Sequence, residues 1–258
     1  MLFGAKNDWD ARIARCVQLS ETSPATKDLL TFYARLLQTQ KQIYDSLSEV
    51  TGSFSDDLRE LRKHLPALIE VVKSSGPATL AQQAVDLSSS SSEIVDQLLL
   101  GYWRERSDKQ FFAKALFQPY AQRLAESGLS PLLPRGENQC PFCLGKPQVS
   151  FLKVAESSSE SGNRHLLCAT CLSSWEFRRI VCASCGEERP AQLGYFQTSE
   201  YKHVRIETCD TCKRYIKGVD LTTLGLAVPL IDDVATAALD LWAIEQGYTK
   251  IELNLVGL

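Results

Sequence analysis

Apolar side chains recur every three or four positions from Trp9 to about Gly128, with charged residues between them, a period that predicts helices sharing a core. Ser23 followed by Pro24 supplies an N-cap and a preset first-turn residue. Behind them Leu29, Leu30, Tyr33, Leu36, Leu37, Ile43, Tyr44 and Leu47 fall at helical spacing. A further helix is expected from a Ser55 cap, bent or divided by Pro66. Gly76-Pro77 closes that segment and opens another running to Leu87. The run Ser88 to Ser92 has nothing to bury and reads as a connector, after which Ile94, Val95, Leu98, Leu99, Tyr102 and Trp103 form one apolar face. Ser107-Asp108-Lys109-Gln110 reads as a capping box for a last helix, kinked at Pro119 and ended by Gly128. This is the pattern of a helical bundle, and no carboxylate pair, His–acid pair or Gly-rich phosphate loop emerges from it.

Pro131 and Pro134 mark a linker, beyond which the pattern changes. Val149 to Val154 and Val204 to Glu207 read as strands, partly by alternation, and Ser157 to Gly162 as a hydrophilic loop tip. A helix returns from Leu230 to Gln246, carrying Val234, Leu239, Leu241, Trp242 and Ile244. The stretch Lys250 to Val256 is expected to pair with a sheet edge.

The 258 residues, 44% of them apolar, suffice for one large domain or two modest ones. A net charge of −3 gives no global field to attract nucleic acid. The start lacks the apolar stretch of a secretory signal, and the longest apolar tract, Leu221 to Ile231, is too short and too interrupted to cross a bilayer. The expectation is a cytoplasmic protein without stable membrane insertion. Nine cysteines are many for such a compartment, where structural disulfides are disfavoured. Cys16 stands alone and reads as a small buried side chain. The other eight crowd between Cys140 and Cys212, which points to metal ligation.

These eight form four Cys-x-x-Cys pairs: Cys140/Cys143, Cys168/Cys171, Cys182/Cys185 and Cys209/Cys212. Two intervening residues let both thiolates of a pair face one tetrahedral ion while backbone amides donate to the sulfurs. Twenty-four residues separate Cys143 from Cys168, 23 separate Cys185 from Cys209, and only ten lie between Cys171 and Cys182. The chain therefore reads as a duplicated unit of knuckle, hairpin and knuckle. Pro147 and Pro190, Phe151 and Phe196, and Trp175 and Tyr215 recur in matching places. The simplest assignment is two four-cysteine sites taken consecutively; an interleaved arrangement stays open, and the self-contained repeat argues against it. The stretch is poor in large aliphatic residues, and a structural zinc site supplies roughly 10–16 kcal/mol to such a module. Redox dithiols are the competing reading, but no thioredoxin-like βαβ unit accompanies them. Tetrahedral sulfur suits zinc or a single iron alike. His165 could replace a ligand, but four cysteines complete each shell, and His64 and His203 stand without an acid partner. The basic pairs Arg178-Arg179 and Lys213-Arg214 are short, and Arg135 to Asp220 holds twelve Lys/Arg against ten Asp/Glu. A nucleic-acid-binding ribbon is thereby disfavoured.

Taken in order, Cys140-Pro141-Phe142-Cys143, Leu167-Cys168-Ala169-Thr170-Cys171 with Trp175, Cys182-Ala183-Ser184-Cys185-Gly186, and Cys209 to Lys217 resemble the FdhE family. The tail Ile231 to Leu241, with Glu245, Gly247 and Tyr248, continues the likeness and separates it from generic zinc ribbons. The resemblance implies an accessory protein needed for active formate dehydrogenase, and not an enzyme. It implies a helical domain followed by two rubredoxin-like modules, with the eight cysteines as iron ligands and zinc as the alternative. The implied partner is the enzyme's molybdenum- or tungsten-containing catalytic subunit, met in the cytoplasm. In that role Asp232, Asp233 and Asp240 form a client-facing acidic patch, or else a solvated helix face.

The expected fold is α+β: a helical N-terminal domain over residues 1–134, a first four-cysteine metal module over 135–181, and a second over 182–258 that includes a C-terminal helix. The expected function is metal-binding assembly of formate dehydrogenase. A rubredoxin-like electron carrier is the alternative, and a nucleic-acid-binding zinc ribbon comes last.

Overall fold

The computed structural model describes residues 9–47, 53–105, 110–128, 136–153 and 162–257. Their contacts divide the chain into two units, Asp8–Ser130 with Leu255–Gly257, and Pro131–Asn254 with the two chain ends.

In the first unit α1 (Trp9–Thr22), α2 (Lys27–Ser46), α3 (Phe54–Arg62), α4 (Leu65–Ser75), α5 (Ala78–Ser88), α6 (Ser92–Glu105) and α7 (Phe111–Glu126) follow the apolar period. Helix α2 obeys the rule, burying Leu30, Tyr33, Leu36, Leu37 and Ile43 while Thr31, Arg35 and Gln38 face water. Helix α7 departs from it: every residue from Phe112 to Gln122 is buried, and α2, α3, α4 and α6 all pack on it. Pro119 sits inside α7 without ending it. Proline has no N–H, so the Ala115 carbonyl one turn earlier loses its helical donor. Gln40 of α2 restores one, donating from Nε2 to that oxygen at 2.8 Å, and reaches Gln118 Oε1 as well. One buried amide thus satisfies an orphaned carbonyl and ties α2 to α7.

Local expectations change at the caps. Ser23 makes no side-chain cap; its carbonyl accepts the Thr26 amide, and a 3-10 turn at Pro24–Thr26 leads into α2. Before α3 the cap position belongs to Ser53 rather than Ser55, because Phe54 opens the helix with its ring 5.1 Å from that of Trp103. Ile94 faces solvent, leaving Val95, Leu99 and Tyr102 as the buried face of α6. The expected capping box runs from Ser107 to Gln110, but Gln110 is itself the N-cap of α7 and makes no side-chain cap; Ser107 to Lys109, the Pro131/Pro134 linker and the loop tip from Ser157 lie outside the described residues.

The second unit is built on a repeat. Strands β1 (Pro147–Lys153), β2 (Asn163–Cys168) and β3 (Ser174–Glu176) form one antiparallel meander; β4 (Leu193–Gln197), β5 (Val204–Cys209) and β6 (Arg214–Asp220) form the next. The meanders join where β1 runs parallel to β6, Val149–Leu152 against Lys217–Asp220, giving the order β3-β2-β1-β6-β5-β4. Of the expected C-terminal extended stretch Lys250 pairs in the two-residue β7 (Thr249–Lys250), parallel to the start of β6, and the Ile251 N–H donates to Tyr215 O at 2.9 Å. Val149, Phe151, Val204, Ile206, Tyr215 and Val219 pack from the sheet onto Ala227, Leu239 and Ala243.

The single helix expected from Leu230 to Gln246 is two, α8 (Pro229–Ala235) and α9 (Ala237–Glu245), parted at Thr236. The cause is Lys217 of β6. Its wholly buried ammonium donates to the carbonyls of Asp233 and Thr236, and the Thr236 hydroxyl donates to the Asp232 carbonyl at 2.8 Å. The last carbonyls of α8 thus meet a cation and a hydroxyl in place of another helical turn.

The same lysine overturns both readings of the acidic residues. Asp232, Asp233 and Asp240 are at most 1% exposed, neither a client-facing patch nor a solvated face. Lys217 Nζ lies 3.1 Å from Asp233 Oδ1 and contacts Asp240 Oδ2, while Lys250 Nζ lies 2.7 Å from Asp233 Oδ1 and 3.2 Å from Asp240 Oδ1. Gln148 and Asn254 donate to Asp233, and the Tyr215 hydroxyl to Asp240. Asp232 pairs with His203 Nε2 at 2.8 Å, so that histidine has an acid partner after all. Among the described residues no helix is long and apolar enough to cross a membrane.

Candidate metal centres

Each cysteine pair sits on a tight turn, and the turns are copies. The Cys140 N–H donates to Gly145 O while the Leu144 N–H donates to Cys140 O; 42 residues later Cys182 N–H donates to Glu187 O and Gly186 N–H to Cys182 O. The residue after every second cysteine, namely Leu144, Leu172, Gly186 and Lys213, has positive φ, between 53° and 76°. Only one of the four is glycine. A left-handed L-residue costs about 1–2 kcal/mol, so three knuckles hold a conformation that the sequence does not advertise. The turn places amides on sulfur: Gly145 N to Cys143 Sγ at 3.4 Å, Thr170 N to Cys168 Sγ at 3.3 Å, and Ser184 N and Cys185 N to Cys182 Sγ at 3.4 and 3.5 Å.

The meanders then bring the knuckles together in sequence order. β1 and β2 run antiparallel with Pro147 opposite Cys168, and β4 and β5 with Leu193 opposite Cys209, so the far knuckle of each hairpin folds back on the near one. Cys140, Cys143, Cys168 and Cys171 form one group and Cys182, Cys185, Cys209 and Cys212 the other, with the sulfurs of each group within 4.8 Å of one another. The grouping is consecutive, not interleaved. Across the first group Cys140–Cys171 and Cys143–Cys168 lie at 3.5 and 3.4 Å; across the second, Cys182–Cys212 and Cys185–Cys209 lie at 3.7 and 3.8 Å.

These distances fit an ion. Metal–sulfur bonds of about 2.3 Å put tetrahedral sulfurs about 3.8 Å apart, whereas a disulfide needs about 2.05 Å. None of these eight described cysteines is joined in a disulfide. The electrostatics agree with the geometry. In the first group the neighbouring thiols and burial push Cys140 and Cys171 well above the ordinary thiol range, and burial does the same to Cys168. Four sulfurs at this spacing ionise together only with a cation among them, and a bound ion inverts the balance. At Cys209 burial raises the pKa, but the amides of Cys212 and Thr211 and the Cys182 thiol more than offset it, and the thiol is lowered overall. Each group could hold one metal ion through four sulfurs, which for a tetrahedral ion leaves no open position.

The groups differ in cover. Cys140, Cys168 and Cys171 are fully buried and Cys143 half-buried; in the second, Cys182 and Cys209 are buried, Cys212 is half-buried and Cys185 is exposed. Gly145 closes the first group: a Cβ there would stand 2.8 Å from Cys168 Sγ and 3.2 Å from Cys143 Sγ. Gly186, after the second group's near knuckle, has open space around it.

His165 stacks on Phe151 with ring centroids 5.2 Å apart. Cys16 is wholly buried in the helical unit. Trp175 donates from Nε1 to Glu137 O and the Tyr215 hydroxyl donates to Asp240, so the matched aromatics of the two repeats have taken different partners. Neither the tight fit at Gly145 nor the buried Lys217 was foreseen. The signal for the second was a lysine in a strand with Tyr215, Ile216 and Val219, opposite a helical stretch whose charges were all acidic.

Comparison with known proteins agrees with this arrangement. The family described as "FdhE, central domain" matches residues 139–179 and "FdhE, C-terminal domain" residues 180–256, each spanning one cysteine group. The "Protein FdhE homolog" of Aquifex aeolicus is 30% identical over 261 aligned positions, covering 93% of this chain and 92% of the relative. That of Pectobacterium atrosepticum is 28% identical, covering 96% and 87%. The crystal structure of the FdhE protein from Pseudomonas aeruginosa has the same fold, with a TM-score of 0.73 at 24% identity over 98% of this chain and 96% of that one.

Proposed function

The chain belongs to the FdhE family, and from that membership we propose that it is a cytoplasmic accessory protein for the assembly or activation of formate dehydrogenase, acting by binding the enzyme's catalytic subunit. The observation that carries this reading is the pair of closed four-sulfur groups, one in each family module. Cys140, Cys143, Cys168 and Cys171 would hold one ion and Cys182, Cys185, Cys209 and Cys212 the other. Iron is favoured by the family likeness, and zinc satisfies the same donors.

Bound there, an ion supplies charge to offset the thiolates and, if it is iron, a one-electron couple. The chain's own residues do the rest. The knuckle amides donate to the sulfurs, the meanders hold the knuckles together, and the buried Lys217–Asp233–Lys250–Asp240 group fixes α8 and α9 on the sheet. This describes a rigid platform for recognising a client, with no vacant coordination place for substrate. The basic pairs are partly neutralised, Arg178 by Glu137 and Glu188 and Lys213 by Asp210, which leaves little for a nucleic acid to bind. Co-purification with the catalytic subunit of formate dehydrogenase in anaerobic, reducing buffer tests the proposal; absence of any complex there overturns it.

A second reading, a rubredoxin-like electron carrier to the same enzyme, is favoured by the exposed Cys185, because a sulfur at the surface is a short path for an electron. Redox titration separates the two: a protein that carries only zinc has no couple to titrate.

A further inference from the structure

The repeat is symmetric in its turns and asymmetric in its cover. In the first group three sulfurs are shut off from solvent and Gly145 packs against two of the four. Thr170 adds its amide to Cys168 and its hydroxyl side chain lies where a Cβ on Gly145 would collide, so chain fills the space around the sulfurs. In the second group Cys185 reaches the surface, Cys212 is half-exposed, and the neighbouring Gly186 is open.

The exposed cysteine also borders a recess. Glu137, Asn138, Phe177, Arg178 and Val181 line a hollow of about 160 Å³ that ends on Cys185 and Gly186. A water occupies about 30 Å³ of liquid, so several fit beside this sulfur. The recess is a built feature. Asn138 donates to the Ser184 carbonyl of the same knuckle, and Arg178 is held between Glu137 Oε2 at 3.0 Å and Glu188 Oε1 at 2.7 Å. Glu137, Phe177 and Arg178 also line a wider groove that runs back past Trp175 to Pro141 of the first knuckle.

We infer that the two metal positions are unequal: the second, on Cys182, Cys185, Cys209 and Cys212, is the exchangeable and chemically reachable one, entered through the recess at Cys185, while the first is a sealed structural site. This rests on the metal-binding reading above. A competing ligand must approach the ion along a path that replaces one sulfur at a time, and Cys185 is the sulfur whose displacement uncovers least of the core.

The test uses the full wild-type chain with both ions bound, stoichiometry being measured first. The protein is mixed with a chromogenic pyridylazo-resorcinol chelator in the presence of iodoacetamide. Metal release is followed by absorbance, and the alkylated cysteines are mapped by mass spectrometry at successive times. Release is expected in two equal phases separated by at least about tenfold in rate, the scale on which outer-shell contacts alter metal sites. Cys185 and Cys212 should be alkylated in the first phase and Cys140, Cys168 and Cys171 only in the second. A single phase, or labelling of the first group ahead of the second, overturns the inference while leaving metal binding intact. Protein that carries no metal when purified anaerobically overturns the metal reading itself, and the inference with it.

Discussion

Replacing Lys217 by methionine tests whether the buried charges hold the second unit together. Methionine matches the volume of the lysine stem, so the substitution removes charge more than packing. In the native chain two ammoniums, Lys217 and Lys250, balance two carboxylates, Asp233 and Asp240, all of them at most 3% exposed. Burial works against the Asp233 carboxylate, yet the two ammoniums and the Lys250 and Asn254 hydrogen bonds hold its pKa below the usual carboxylate range. Burial likewise pulls Lys217 down from the value of free lysine, and the carboxylates of Asp233 and Asp240 oppose that pull. Lys217→Met leaves two carboxylates for one ammonium and strips the α8 carbonyls of their donor. Breaking a buried pair on one side costs about 3–5 kcal/mol, or roughly 12–20 °C in Tm for a unit of this size. Urea unfolding of the metal-saturated protein, read by fluorescence and far-UV circular dichroism, measures it. The double variant Lys217→Met/Asp240→Asn restores neutrality and should recover much of the loss, with a coupling above about 1 kcal/mol. A single-variant cost below about 1 kcal/mol, or simple additivity in the cycle, would refute the argument.

Other outcomes follow from the same geometry. Gly145→Ala drives a methyl against Cys168 Sγ and Thr170 Oγ1, each 2.8 Å from its position, and should cost the first ion, lowering metal content from two toward one per chain by elemental analysis. Lys213→Gly relieves a residue at φ 53° and forfeits an exposed pair with Asp210 and a cation–π contact on the Tyr248 ring, both weak at the surface, so it should stabilise the loaded protein by up to about 0.5 kcal/mol, whereas Gly186→Ala at φ 76° should destabilise it by about 1 kcal/mol, both read from Tm. Stripping metal with a strong chelator should abolish hydrogen-exchange protection in β1 to β6 while far-UV helical signal from α1 to α7 persists; retained strand protection would contradict a structural role for the ions. Burial and then the Asp57 carboxylate raise the pKa of Tyr120 well above that of a free phenol. Its contribution to stability is therefore complete below about pH 10, where the unfolded phenol ionises, and is lost as pH rises further, at up to about 1.4 kcal/mol per pH unit. Tyr120→Phe should flatten that part of the alkaline stability profile; an unchanged slope counts against the assignment.

What could be read in advance depended on how local its cause was. The knuckles were legible because two residues between thiols fix a turn, and the matched gaps revealed the repeat before any strand was placed. Helix α2 was legible because its buried face repeats within its own sequence. The break at Thr236 was not, because no proline or glycine marks it; its cause is a lysine 19 residues earlier, on a strand. Asp233 and Asp240 looked like surface charges for the same reason, since helical period tells which face is apolar and cannot show what lies opposite. Pro119 stays inside α7, and the carbonyl it orphans is satisfied by Gln40, 75 residues before it, a partner that no local pattern announces. The left-handed turns at Leu144, Leu172 and Lys213 run against residue preference and emerge only from the closed ring of hydrogen bonds around each pair.

The seam between the repeats also sets an order of events during synthesis. Strand β1 ends at Lys153, but the neighbour that completes its free edge, β6, begins at Arg214. At about 5–20 residues per second the ribosome needs roughly 3–12 s to supply that neighbour. During that interval the early meander presents an unpaired edge, the feature most prone to joining a stray strand from another nascent chain. Prompt ion capture at Cys140 to Cys171 would keep the half-built sheet in register while it waits, and expression under metal starvation should therefore raise the insoluble fraction even if the finished protein tolerates later stripping.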